Sequence, residues 1–214
     1  MNRIEKRLER RLQEEIFVPF KVAVSTAPIS VSRLAPKELA AFKDFPLPAR
    51  QDLWLRGRSA LKRLLARLGK DEDTSGIHFP NARYSLTHSR GVAIAVGVEE
   101  VRLRGIGVDL ETGRTPRVES ARFFLVRREQ EWCLRFEPSV RSGHLQRLWT
   151  VKEALFKADP HNRNTGLLDY VVEYPGKSKG RVFTAGGREL AMAYGSIPFT
   201  GGALSVAISW KEAR

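Results

Sequence analysis

The chain has 214 residues, of which 42% are hydrophobic and 29% charged. That is the balance of a soluble globular protein able to bury a core, and it excludes wholesale disorder and a fibrous repeat. Lys and Arg number 37 against 24 Asp and Glu, a formal charge of +13 that favours phosphates, nucleic acid or acidic proteins as partners.

Cys133 is the only cysteine, so no intramolecular disulfide and no cysteine-built zinc site can form, and a reducing cytoplasm is the expected compartment. The charged first fifteen residues do not suit a signal peptide, and no stretch approaches the ~20 apolar residues of a membrane span. Neither export nor membrane insertion is expected.

Ile4, Leu8, Leu12 and Ile16 recur every four residues among charges and predict an amphipathic helix, docked on the body or on a partner. Pro36, Pro46 and Pro48 predict a break before the next helix. Over residues 50–68, Leu53, Trp54, Gly57, Leu61, Leu64, Leu65 and Leu68 share one helical face, and Gly69 supplies the stop. At about 100° per residue, Arg58 and Lys62 lie on one flank of that face, and Arg56, Arg63 and Arg67 on the other.

Residues 84–98 alternate and are rich in Val, Ile, Thr and Tyr, which predicts one or two strands broken near Ser89, Arg90 and Gly91; residues 101–111 predict another. Residues 122–136 and 145–158 read as helices, and the chain from residue 169 onward is strand-like. The fold class is therefore α+β. A similarity of rhythm between residues 199–210 and 83–96 hints at two related subdomains, residues 1–100 and 101–214.

Three segments could carry chemistry. In Gly105-Ile106-Gly107-Val108-Asp109-Leu110-Glu111, the two acids stand two apart on a strand and share a face, which suits a hard cation or, equally, a solvated strand end. In residues 148–157, Lys152 lies within the apolar stripe of Leu148, Trp149, Leu155 and Phe156 and needs an anionic partner or a route to solvent. Glu153 and Lys157 share a neighbouring face, where an ordinary exposed pair is worth about 0.3–0.5 kcal/mol. In residues 84–91, Thr87, His88 and Ser89 precede Arg90 and a flexible Gly91, a turn that can grip a phosphate or serve as a polar hairpin.

Together these segments resemble the 4′-phosphopantetheinyl transferase superfamily, in particular its larger monomeric, surfactin-synthetase-activating type. The family pattern of Gly, an aliphatic residue, Asp, any residue and Glu stands here as Gly107-Val108-Asp109-Leu110-Glu111. The longer and more specific pattern stands as Trp149-Thr150-Val151-Lys152-Glu153-Ala154-Leu155-Phe156-Lys157. The likeness extends to Leu86-Thr87-His88-Ser89 and to Ala49-Arg50 with Gly57-Arg58, and so covers residues 45–160.

The resemblance implies a pseudo-dimer of two similar α/β subdomains with the active site in the cleft between them. It implies a holo-[acyl-carrier-protein] synthase type of enzyme that moves the phosphopantetheine arm of coenzyme A onto a serine of an acidic acyl or peptidyl carrier protein. Asp109, Glu111 and Glu153 would bind Mg2+ on the pyrophosphate, with Glu153 also the base for the carrier serine. Lys157 would neutralise the departing 3′,5′-ADP and Lys152 would help at the pyrophosphate, while Arg50, Arg58, Thr87, His88 and Ser89 would hold the nucleotide end of coenzyme A. A cytoplasmic monomer without nucleic-acid or membrane partners is expected.

Two stretches depart from the family pattern. Its basic segment before the Ser-His type turn is replaced by residues 75–81, leaving Arg83 or Arg90 to supply that charge, and its Gly-containing turn after Lys157 becomes residues 159–164.

Other readings explain less. A basic nucleic-acid module accounts for the charge but not for Asp109, Glu111 and Glu153, and neither zinc-finger spacing nor an aromatic RNA-recognition signature is present. A triad of Ser85 or Ser89 with His88 and Asp109 lacks a G-x-S-x-G elbow. A non-catalytic relative that binds coenzyme A or a carrier protein would keep the same residues, and activity separates it from the enzyme.

Overall fold

Two antiparallel sheets organise the chain in the computed structural model, which describes residues 3–113 and 115–211. The smaller sheet holds β1 (Phe20–Ser25), β2 (Tyr84–Ser89) and β3 (Val92–Val98) in the order β1-β3-β2. The larger holds β4 (Leu103–Thr112), β5 (Val171–Val172), β6 (Lys179–Phe183), β7 (Glu189–Phe199) and β8 (Gly202–Trp210) in the order β4-β8-β7-β6-β5. A long helix packs on each: α3 (Pro48–Arg67) on β1 and β3, and α5 (Pro138–Ala158) on β4 and β8. In both sheets a strand, a long helix and a hairpin follow one another, and the first strand pairs with the second arm of the hairpin.

The turn at Arg90 and Gly91 is where the pattern predicts it, with both residues at positive φ. The prolines act differently from expectation. Pro36 opens a short helix, α2 (Pro36–Lys43), and Pro48 opens α3, because proline's missing N–H costs nothing in a first helical turn. Strand β1, unmarked by turn residues, escaped the pattern. The helix expected over residues 122–136 resolves into a 3-10 turn, Val118–Phe123, and α4 (Arg127–Leu134), and α5 begins at Pro138, seven residues before the expected start.

Helix α1 (Arg3–Ile16) docks on the body, packing on both β1 and β7, and Leu8, Leu12 and Ile16 are buried as predicted, whereas Ile4 is exposed. What the spacing did not predict is the burial of Glu5 and Glu9. Their carboxylates accept the free edge amides of β1, Val24 N–H at 3.0 Å and Val22 N–H at 2.7 Å. Arg63 and Arg67, the basic flank of α3, neutralise them at 2.8 Å each. The other flank meets a different acid: Lys62 is buried against Glu38 of α2 at 2.7 Å.

Side chains also close the edges of the larger sheet. At β5, Val172 N–H donates to Glu129 at 2.9 Å, and the fully buried Lys152 pairs with the same carboxylate at 2.8 Å. At β4, the alternating hydroxyls of Ser85, Thr87 and Ser89 on β2 accept the N–H groups of Val108, Leu110 and Thr112 at 3.0, 3.1 and 3.2 Å. A row of hydroxyls thus replaces a backbone ladder and joins the two sheets along their edges.

Candidate active site

The glycines of β4 place the site. A Cβ on Gly107 would overlap the carbonyl of Ala154, and one on Gly105 would overlap that of Ala158, so only glycine lets α5 lie directly on the strand. Thr150, one turn before Ala154, anchors the same face through a 2.7 Å hydrogen bond with Ser205 of β8. With that face fixed, the next flank of α5 brings Lys157 onto Asp109 and Glu153 within electrostatic reach of both.

Lys157 Nζ donates to Asp109 Oδ1 at 2.6 Å and to the Val108 carbonyl at 3.2 Å. Thr87 Oγ1 donates to the same carboxylate oxygen at 3.2 Å. Among the described residues, Asp109 Oδ2 is buried without a hydrogen-bond partner. Glu153 is half-buried, and burial raises its pKa above the ordinary carboxylate value; Lys157 opposes this, while the charges of Asp109 and Glu111 push the same way. Glu153 therefore lies within the electrostatic reach of Lys157, Asp109 and Glu111.

Among the described residues, no three His, Cys, Asp or Glu side chains close on a metal ion by themselves. The donor set nonetheless fits Mg2+, which prefers oxygen ligands and takes one or two carboxylates with waters and substrate phosphates. An orphaned, buried carboxylate oxygen at Asp109 is the kind of group such an ion satisfies.

The basic residues converge on the other side of β2. Arg50, Arg58 and His88 line one cavity of about 420 Å3 with Phe45, Trp54 and Leu86. Arg58 stacks over Trp54 at 4.7 Å and donates to Thr74 Oγ1 at 2.9 Å, and Thr74 N–H in turn donates to Glu38 at 2.9 Å. The surrounding protein and then Lys157 lower the pKa of His88, with Asp109 pulling it up. His88 thus feels the acid cluster while lining the basic cavity.

Residues 105–191 match the model of the 4′-phosphopantetheinyl transferase superfamily, a segment that contains Asp109, Glu111, Glu153 and Lys157. That stretch is similar to the superfamily. No curated protein was found to match it.

Of the residues that the superfamily resemblance singles out, Lys157 meets Asp109, with Glu153 and Glu111 within electrostatic reach, and Arg50, Arg58 and His88 share one cavity. Lys152 does not join them. It is enclosed with Glu129 and the carbonyl of Tyr170, so its charge is satisfied inside the C-terminal core and not at a pyrophosphate. Thr87 and Ser89 turn toward β4, away from the cavity that His88 lines. The hydroxyls of Ser85 and Ser89 accept backbone amides there, which removes the basis for a serine triad.

Of the two arginines proposed to replace the missing basic segment, Arg90 instead donates to the Gly113 carbonyl at 2.7 Å. The stretch after Lys157 forms a cap on α5, in which Asn162 bonds the Phe156 carbonyl at 3.0 Å and Asp159 accepts the Tyr170 hydroxyl at 2.8 Å.

Sequence reasoning missed Phe45, Trp54 and Leu86 as walls of the cavity, and Glu38 and Thr74 as the support of Arg58. For Glu38 a signal existed, since Pro at the first helical position with Glu two residues on marks a helix start, and Glu38 does accept the Ala35 amide at 2.8 Å.

Proposed function

We propose that the chain transfers the 4′-phosphopantetheine arm of coenzyme A to a serine of an acyl or peptidyl carrier protein with Mg2+ as the metal. Phosphopantetheinyl transfer is the activity of the superfamily whose model residues 105–191 match. The observation that carries the reading is the placement of two consecutive residues of β2: Thr87 touches Asp109, while His88 lines the cavity of Arg50 and Arg58. A ligand with phosphates at both ends of a nucleotide is matched by a basic cavity on one side of that strand and an acid cluster on the other.

In this reading the cleft between two related α/β halves, residues 1–100 and 101–214, holds the coenzyme. Arg50, Arg58 and His88 hold its nucleotide end, and Asp109 and Glu153, with Glu111, hold the metal. Mg2+ supplies charge neutralisation of the pyrophosphate. Glu153 accepts the proton of the carrier serine, directly or through water, a role suited by its raised pKa. The serine oxygen forms a bond to the phosphorus that bears the pantetheine arm as the bond to 3′,5′-ADP breaks. Lys157, already bound to Asp109, offsets charge on that leaving group. The net charge of +13 favours an acidic carrier.

The deciding experiment is the intact mass of several apo carrier proteins after incubation with the chain, coenzyme A and Mg2+, beside an EDTA control. A metal-dependent gain of one phosphopantetheine is the expected result. Glu153→Gln is expected to remain folded and to lose transfer; full activity in the folded variant would refute the base assignment. Coenzyme A binding without transfer to any carrier would replace the enzyme with a non-catalytic relative.

A further inference from the structure

We propose that Thr87 is a positioning residue for the metal site, and that its hydroxyl presents Asp109 Oδ2 to the cation instead of binding the coenzyme. The inference rests on the function proposed above and adds a residue to it. A threonine hydroxyl has a single proton. Leu110 N–H donates into the oxygen of Thr87 at 3.1 Å, which directs that proton to its remaining acceptor, Asp109 Oδ1, at 3.2 Å. Lys157 donates to the same Oδ1 at 2.6 Å. One carboxylate oxygen is thereby doubly occupied, and the other is left buried and, among the described residues, unpartnered.

The arrangement is rigid because each member is held by backbone. Thr87 is 4% exposed and sits on β2 between Ser85 and Ser89, whose hydroxyls accept the amides two residues to either side on β4. Of these three hydroxyls, Thr87 is the one that also touches the Asp109 carboxylate. Groups that orient a metal ligand in this way typically change metal affinity by about 10–100-fold when removed.

The test compares wild type, Thr87→Val, Thr87→Ser and, as a control for the seam alone, Ser85→Ala. Mn2+ affinity in the presence of coenzyme A is read by electron paramagnetic resonance, beside KM for coenzyme A and the thermal midpoint. Thr87→Val is expected to weaken Mn2+ binding about 10–100-fold with KM for coenzyme A little changed, Thr87→Ser to restore it, and Ser85→Ala to leave it at the wild-type value. A raised KM with unchanged Mn2+ affinity would overturn the proposal in favour of a coenzyme contact. A lowered thermal midpoint alone would make the hydroxyl merely structural. Should Thr87→Val not fold, Thr87→Cys carries the same comparison with a weak donor. Failure of wild type itself to bind Mn2+ would overturn the reading of the whole site, an outcome distinct from wild-type binding that Thr87→Val leaves intact.

Discussion

Lys152 shows how far a single residue can be read. Its place inside an apolar stripe demands an anionic partner, and the fold supplies Glu129, which is itself fully buried. The identity of that partner was not legible, because the two residues meet only when α4 packs on α5. Removing one member of a buried pair leaves the other charge uncompensated. Lys152→Ala is therefore expected to cost about 3–5 kcal/mol in urea unfolding, and Lys152→Met with Glu129→Gln, which keeps an acceptor for Val172 N–H, to recover part of the loss.

Glu38 gives the same logic a pH dependence. Burial raises its pKa, but the contacts with Lys62, Thr74 and Ala35 outweigh burial and hold it at about 2, below the ordinary 4.5. A depressed carboxylate pKa stabilises the fold above the unfolded value, and that stabilisation is lost as pH falls from 4.5 toward about 2. Thermal midpoints measured down this range are expected to fall less steeply in Glu38→Gln than in wild type, from a lower starting value at neutral pH.

At the scale of elements, the glycines of β4 and the small residues of α5 act as one device. Residues 101–111 read as a strand carrying two acids, yet the purpose of Gly105 and Gly107 became visible only with the carbonyls of Ala154 and Ala158 against them. Gly107→Ala is expected to push α5 off the strand, lowering stability by about 1–3 kcal/mol and displacing Glu153 and Lys157 from Asp109, read as lost transfer. Gly143, in the same helix, has open space where a Cβ would stand. There the substitution Gly143→Ala is expected to raise stability by about 0.5–1 kcal/mol.

Across the whole molecule, the fold is joined by side chains that close strand edges. Helix α1 reaches both sheets, and its Glu5 and Glu9 bind the edge of β1 while receiving Arg63 and Arg67 from α3. Hydrogen bonds to charged groups contribute about 1.5–3 kcal/mol each. Replacing both acids by Gln is expected to lower urea stability by at least about 2 kcal/mol and to leave the edge of β1 weakly held, seen as increased aggregation near the thermal midpoint. The apolar spacing of α1 was legible; its buried acids were not, since a charged residue beside an apolar stripe reads as solvated until a free strand edge is known to lie against it.

The sequence by itself determined the α+β character, the long helices α3 and α5, the hairpin at Arg90 and Gly91, and the likeness of residues 105–191 to the superfamily, because periodicity, turn residues and short motifs are local and survive without a fold. It also marked Asp109, Glu153 and Lys157, which the structure brings into contact or electrostatic reach. Only the tertiary structure decided which polar residues face the site and which hold the frame. Lys152 and Thr87 stand in motifs beside working residues, yet one is turned into the core and the other across the sheet edge, and that choice depends on partners distant in the chain.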